Sequence, residues 1–363
     1  MTDDLKNELA DARGEIDAID AQLLDLLNRR ARCAQKVGEI KARHGEGEVA
    51  YRPEREAQVL RRIRDKNAGP LPDESVTGFF REVMSACLSL ERPLSVAFLG
   101  PLGTFSESAA TKHFGHAARL SSQASIDEIF REVEAGRADF AVVPVENSTD
   151  GAIGRTLDLL MTSPLKIGGE VALRIQQHLM SKETSLDAIT QVYSHAQSLA
   201  QCHEWLGRSL PRARRVPVGS NAQAAQLAAS EAGTAALAGE AAAERYGLIV
   251  LASNVEDEPN NTTRFLVLGR QESGPSGCDK TSLIMSAPNR TGSLGELLAP
   301  FSDAGVSMTR LESRPARHTL WDYVFYVDVE GHRDDPAVAR ALTELARRAA
   351  YLKVLGSYPV AVC

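Results

Sequence analysis

The chain has 363 residues, a formal net charge of −7, 43% hydrophobic and 25% charged residues, and 5 cysteines. That length suits about two or three domains, and the acidic balance argues against broad binding to nucleic acid. No apolar run of about eighteen residues predicts a membrane span, and the acidic start MTDDLKNELADARGEID has no apolar leader core. Cys33, Cys87, Cys202, Cys278 and Cys363 are scattered and lack any CxxC. This predicts reduced thiols in a cytoplasmic protein, with neither a disulfide frame nor a metal site.

Residues 5–44 read as one long helix. Leu9, Ile16, Leu23, Leu27, Ala34 and Val37 keep the three-four spacing of a packed seam. At about 1.5 Å per residue the helix spans roughly 60 Å, which calls for a partner chain. Arg13, Asp20, Arg30 and Lys41 fall in register with the seam. Cations on such a seam need buried partners, and intersubunit salt bridges are the plain account of them. Gly45 and Gly47 end the helix. Pro53 starts a second, PEREAQVLRRIRDKN, with Pro at its first position and glutamates in its first turn. Asn67 to Pro72 is a linker. Asp73 is expected to cap a third helix, which Pro93 ends.

The middle of the chain alternates strands and helices. SVAFLG, the turn GPLGTFS and ESAATKHFG form one unit; the turn lacks the GK[ST] ending of a P-loop. In FAVVPVENSTDGAI an apolar strand runs into Glu146, Asn147, Ser148, Thr149 and Asp150, then the helix GRTLDLLM. QVYSHAQSLAQCHEWL places Ser194, His195 and Gln197 at another strand end, and AALAGEAAAERYGL places Glu240 at a further one. NNTTRFLVLG heads a returning strand with Thr262, Thr263 and Arg264. Such alternation predicts parallel sheets with clefts at their strand ends. Residues 171–246 read as a second lobe inserted into the first. Two lobes would hinge around a small ligand, in a periplasmic-binding-protein-like α/β arrangement. Hydroxyls, amides, helix N-termini and one arginine suit a small carboxylate. His195 reads as a hydrogen-bonding loop residue or as a base.

Gln271 to Gly277 reads as a flexible linker. Strand KTSLIMSA, helix SLGELLAPFSDAG, strands VSMTRLESR and WDYVFYVDV, helix PAVARALTELARRAA and a last extended piece follow. This is the α+β, ferredoxin-like βαββαβ order. Pro300 is expected to kink the first of these helices.

Three resemblances follow from these stretches. ARGEIDAIDAQLLDLLNRR, VGEIKAR and YRPEREAQVL are similar to the all-helical chorismate mutases. GPLGTFSESAA, VVPVENSTDGAI, YSHAQSLAQC and NNTTRFLVL, in this order, are similar to prephenate dehydratases. PNRTGSLGELL and LESRP resemble the ACT domain attached to those dehydratases. Domains are therefore expected at 1–92, 93–272 and 279–363.

The first resemblance implies an interlocked dimer in which each site borrows Arg13 from the other chain. Arg30 would be the local arginine, Lys41 the cation at the ether oxygen, and Arg55 and Glu56 the hydroxyl-side contacts. Arg52 stands where some relatives have an acid, Cys87 where some have Ser, and Glu91 where some have Gln. An ionised Glu91 cannot donate to the ether oxygen. Mutase activity is therefore expected to fall as pH rises, with a flatter profile in Glu91→Gln. The second resemblance implies Thr263 as essential for dehydration, with Arg264 beside it. Glu146, Asn147, Ser148, Thr104 and Gln197 would line the cleft, and Ala196 stands where many relatives have Pro. The third implies a phenylalanine site from Asn289, Gly292, Ser293, Leu294, Glu312, Ser313 and Arg314, with Gly-Ser-Leu-Gly in place of a common Gly-Ala-Leu-Val.

Together they imply an even-numbered homo-oligomer, a homodimer or larger, that turns chorismate into prephenate and prephenate into phenylpyruvate. L-phenylalanine would inhibit it. Neither a cofactor nor a metal is implied, and neither nucleic acid nor membrane is a partner. Three alternatives stay open in the sequence. The leaving hydroxyl of prephenate could meet Thr263 or a protonated Glu146. Arg264 could hold a carboxylate or bridge lobes. The chain could also be a ligand-regulated binding protein without turnover, or a dehydratase that prefers arogenate.

Overall fold

The computed structural model describes residues 3–44, 51–287, 290–315 and 323–361. The first domain is all helical: α1 (Asp3–Arg43), α2 (Pro53–Lys66) and α3 (Asp73–Glu91). Gly45 and Gly47 lie outside the described residues. No residue of α1 is buried, and Leu5, Leu9, Ile16, Ile19, Leu23, Leu24, Leu26 and Leu27 are exposed along it. α1 meets α3 toward its C-terminal end, where Gly38 leaves room for the Glu91 side chain. Asp73 does not cap α3. Pro72 holds the cap position, and Asp73 is the first helical residue, accepting from Asn67 Nδ2 at 2.6 Å.

The second domain has two lobes. The first contains β1 (Ser95–Leu99), α4 (Phe105–Phe114), β2 (Arg119–Gln123), α5 (Ile126–Glu134), β3 (Phe140–Asn147), β4 (Gly151–Ala152), α6 (Gly154–Thr162) and β5 (Lys166–Arg174). The second contains β6 (His178–Ser181), β7 (Gln191–His195), α7 (Ala196–Gln201), α8 (His203–Ser209), β8 (Arg214–Val218), α9 (Asn221–Ser230), β9 (Thr234–Ala238), α10 (Glu240–Tyr246) and β10 (Ile249–Ala252). β11 (Thr262–Gly269) returns to the first lobe, giving the sheet orders β2-β1-β3-β11-β5 and β10-β6-β9-β7-β8. The sheets are mixed rather than parallel. β1 runs parallel to β2 and β3, but β11 is antiparallel to β3 and β5, and β6 to β9 and β10. The cause is connectivity: β5 leaves for the second lobe and β11 comes back beside it. The two crossing segments bond to each other, Ile175 N to Asn261 O at 2.8 Å and Val255 N to Gln177 O at 2.9 Å.

The third domain is β12 (Asp279–Ser286), α11 (Ser293–Ala304), β13 (Met308–Pro315), β14 (Tyr323–Glu330), α12 (Pro336–Arg348) and β15 (Tyr351–Pro359), with sheet order β13-β14-β12-β15. Pro300 is buried within α11. This domain shares one core with the first lobe, where Ile284, Tyr326, Leu355 and Tyr358 pack with Val143, Leu157, Ile167 and Leu266. β15 lies so close to β5 that a Cβ on Gly356 would collide with the backbone of Ile167. The expected flexible linker is instead packed. Ser273 and Ser276 are buried, and Arg61 Nη2 of α2 donates to Ser276 O at 2.8 Å.

α2 closes a junction of all three domains. Tyr51, Glu56 and Arg81 meet His113 of the first lobe and Pro359 of the third domain around a cavity of about 70 Å³. Burial raises the Tyr51 hydroxyl, which shares a hydrogen bond with His113 Nε2 at 3.0 Å. Burial pushes Glu56 up to about 7, against the pull of Arg81 at 3.8 Å. Burial drives His113 down to about 3, and the Arg81 charge adds to this.

In the folded chain Glu56 is therefore neutral below about pH 7 and His113 above about pH 3, and they tilt stability in opposite directions. The Glu56 contribution is complete below 4.5, its ordinary value, and fades as pH rises to about 7. The His113 contribution is complete above 6.5, its ordinary value, and fades as pH falls to about 3. Between 4.5 and 6.5 the two slopes, each about 1.4 kcal/mol per pH unit, cancel. Glu56→Gln exposes the His113 slope. Relative to wild type, the variant is expected to lose about 3 kcal/mol on acidification across that window, measured by urea unfolding at each pH. Parallel curves for the two proteins would reject this account of the junction.

Candidate active sites

A cleft of about 340 Å³ lies between the two lobes, lined by Thr104, Asn147, Gln197 and Thr263 of the expected set. Asn147 ends β3 and pairs in register with Thr263 at the head of β11. The Asn147 oxygen accepts from Thr149 N at 3.0 Å and Asp150 N at 3.1 Å. That fixes the amide so that Nδ2 donates to Thr263 Oγ1 at 2.9 Å and Asn261 Oδ1 at 2.7 Å. With its oxygen already accepting, Thr263 keeps its own proton to donate into the cleft.

The residues just before and just after this pair face the other way, because successive side chains on a strand alternate. Glu146 is turned to Arg310 of the third domain, whose Nε stands 3.0 Å from its Oε2. Arg264 reaches Glu170 at 2.8 Å, Asp328 at 2.6 Å and the Tyr358 hydroxyl at 2.9 Å. Burial alone would lower the Arg264 guanidinium, but Tyr358, Asp328 and Glu170 outweigh it and hold the charge. So Glu146 is not an acid in the cleft, and Arg264 bridges the first lobe to the third domain. Ser148 also serves structure: Thr262 N donates to its Oγ at 2.9 Å, tying the ends of β3 and β11.

The described lining of the cleft holds no Asp, Glu, Lys or Arg. It presents instead the N-terminal ends of α4, at Thr104, Phe105 and Ser106, and of α9, at Ser220 and Asn221, one from each lobe. Exposed N–H groups and the helix dipole favour an anion at both. Among the described residues that line the cleft, two buried side-chain atoms have no hydrogen-bond partner, Gln177 Oε1 and Asn261 Nδ2. Neither was expected as a site residue from the sequence, although the polar doublets Gln176-Gln177 and Asn260-Asn261 flank apolar strands. His195 ends β7 and caps α7, its Nδ1 accepting from Gln197 N at 3.4 Å. Gln197 and Gln201 donate across the lobes to Asp150, the second at 3.1 Å. On the other side of the cleft Arg245 reaches Glu107 at 2.6 Å.

In the helical domain Lys41 Nζ stands 3.8 Å from Glu91 Oε2. Arg30 reaches Val83 O at 3.5 Å, and Cys87 is buried in α3. These four form a seam between α1 and α3. Arg13 is exposed on the same helix, about 42 Å of helix rise from Lys41, so one chain cannot bring the two together. Glu56 faces Arg81 and the three-domain junction rather than this seam, because α2 packs on the second domain. Arg55 is exposed and Arg52 stands 3.9 Å from Glu54.

In the third domain Gly292 precedes α11 with φ 82°, Ser293 and Leu294 open that helix, and Glu312, Ser313 and Arg314 lie on β13. Arg314 is held by its own chain, 3.5 Å from Asp158 of α6. Asn289 lies outside the described residues.

Comparison with known proteins agrees with these three parts. Family models match for chorismate mutase type II over residues 12–92, prephenate dehydratase over 96–273 and the ACT domain over 281–347. The bifunctional chorismate mutase/prephenate dehydratase of Neisseria gonorrhoeae is 56% identical over 365 residues, covering 100% of both chains. The structure of prephenate dehydratase from Arthrobacter aurescens in complex with L-Phe superposes with a TM-score of 0.68 at 35% identity, over 73% of this chain and 90% of that one. A structure described as a novel type of quorum quenching acylase superposes equally well, with a TM-score of 0.68 at 30% identity, over 74% of this chain and 98% of that one. The full-length match and the three domain models in order settle the family: this chain belongs to the bifunctional chorismate mutase/prephenate dehydratases.

Proposed function

We propose that one chain performs two consecutive steps, rearranging chorismate in the helical domain and converting prephenate to phenylpyruvate in the cleft, under inhibition by L-phenylalanine from the third domain. The Asn147–Thr263 pair carries this reading. Prephenate has two carboxylates, and the cleft offers a helix N-terminus from each lobe. The carboxylate that leaves as CO₂ gives its electron pair to the ring, and the ring hydroxyl departs. Taking a proton from solvent, that hydroxyl becomes water. Thr263 donates a hydrogen bond to it as charge develops. A lining without Lys or Arg does not over-stabilise the carboxylate that must be lost.

The rearrangement needs no base. It needs a folded dicarboxylate and a donor at the ether oxygen. Lys41 supplies the donor, Arg30 a local anchor and Arg13 of a second copy the other. The exposed apolar stripe of α1 supports a homodimer, since a lone chain leaves it bare. Glu91→Gln places a donor beside Lys41, and its mutase rate at pH 8 is expected to equal or exceed that of wild type. The effector site is expected near Gly292, Ser293, Leu294, Glu312 and Ser313. A cytoplasmic setting suits the cysteines, since Cys33, Cys87, Cys202 and Cys278 are all free.

The test is phenylpyruvate formation by the purified protein from prephenate and then from chorismate, with and without L-phenylalanine. Formation from both that L-phenylalanine suppresses is the expected result. Tight binding of prephenate without turnover would replace the enzyme by a binding protein.

A further inference from the structure

Between the first lobe and the third domain lies a ladder of alternating charge: Glu146, Arg310, Asp328, Arg264, Glu170 and Lys280. Glu146 stands 3.0 Å from Arg310, which is paired in register with Asp328 across β13 and β14. Asp328 stands 2.6 Å from Arg264, and Glu170 stands 2.8 Å from both Arg264 and Lys280. Three acids thus face three cations, with no excess charge to dissipate. Two members of this ladder adjoin the cleft, and a third adjoins the expected effector segment. Glu146 and Arg264 oppose each other in the β3–β11 register, one step from the Asn147–Thr263 pair. Arg310 lies on β13, two residues before Glu312 of the expected effector segment.

Arg310 is also poorly satisfied where it stands. Its side chain is 12% exposed, yet its Nε approaches Glu146 off the hydrogen-bond direction and its Nη2 has no acceptor among the described residues. A buried guanidinium with unused donors gains from a small shift of β13 that aligns it with Glu146. We propose that Arg310 is a positioning residue for dehydration: it transmits the placement of β13 through Glu146 to Asn147, and so sets where Thr263 aims its proton. This rests on the reading above that Asn147 and Thr263 serve dehydration and that the effector acts from the third domain.

The test is a double-mutant cycle in the full chain, with mutase activity read from the same preparations. Arg310→Met and Glu146→Gln are each expected to lower kcat for prephenate about 10-fold while KM stays within about twofold, because aim is lost and ground-state binding is not. The double variant is expected to lose about 10-fold rather than 100-fold, since both changes cut the same link. Arg310→Lys is expected to regain at least half of the lost rate. Arg310→Met is expected to bind L-phenylalanine by calorimetry but no longer to be inhibited by it. A multiplicative double variant, an unchanged kcat, or a parallel fall in mutase activity would each overturn the proposal. Wild-type protein that does not turn over prephenate would instead remove the functional reading beneath it.

Discussion

Replacing Thr263 by alanine is expected to lower prephenate turnover by about two to three orders of magnitude and to leave chorismate rearrangement in the same preparation unchanged. The size follows from geometry. Asn147 Nδ2 donates to Thr263 Oγ1 at 2.9 Å, so the threonine proton is the one left to point into the cleft. Removing it leaves the departing hydroxyl without its donor in a lining free of carboxylic acids and cations. That interaction grows only as the bond breaks, so kcat should carry the loss and KM should change by less than about threefold. Thr263→Ser keeps a donor and should stay within about tenfold of wild type. A wild-type kcat in Thr263→Ala would move the donor role elsewhere, with His195, the titratable group of the described lining, first in line.

Why the sequence pointed to Thr263 and also to two neighbours that serve another purpose is a matter of pleat. The strand endings FAVVPVEN and TTRFLVLG marked β3 and β11, and their polar ends marked a cleft. A strand, however, sends consecutive side chains to opposite faces. Of Glu146 and Asn147 only one can look into the cleft, and the same holds for Thr263 and Arg264. Nothing within either strand says which, because the answer depends on what covers the far face. Here the covering is the sheet of the third domain, whose Asp328 and Arg310 claim Arg264 and Glu146. Glu56, expected at the mutase substrate, sits elsewhere for the same reason. The helical period of α2 was visible, but its packing against His113 of a different domain was not. Composition misled at 271–277, where Ser, Gly and Pro suggested flexibility. The segment is wedged under α2, and two of its serines are buried. Element order and the cleft itself, by contrast, rest on local signals: caps at Thr104 and Ser220, and apolar runs broken by polar turns.

The Arg264 network gives the second large effect, and it separates the two roles the sequence left open. Arg264→Met leaves Asp328, among the described residues, with Ser282 as its side-chain hydrogen-bond partner, and it strips Glu170 of one of its two cations. Their side chains are 6% and 7% exposed, so water cannot replace the guanidinium. Breaking one partner out of a buried network costs about 3–5 kcal/mol, because an uncompensated charge remains. The third domain and the first lobe share one core, so the loss should register in the unfolding of both, as a transition lowered by about 10 °C. Adding Asp328→Asn removes the stranded charge while keeping an acceptor for Ser282, and it should restore at least half of the loss. KM for prephenate should stay within about twofold of wild type at temperatures where the variant is folded. A tenfold rise in KM with an unchanged transition would instead make Arg264 a carboxylate ligand, and the face of β11 seen here would then have to turn over during catalysis. Such a turn would carry Thr263 out of the cleft as it carried Arg264 in, so one strand cannot present both residues at once.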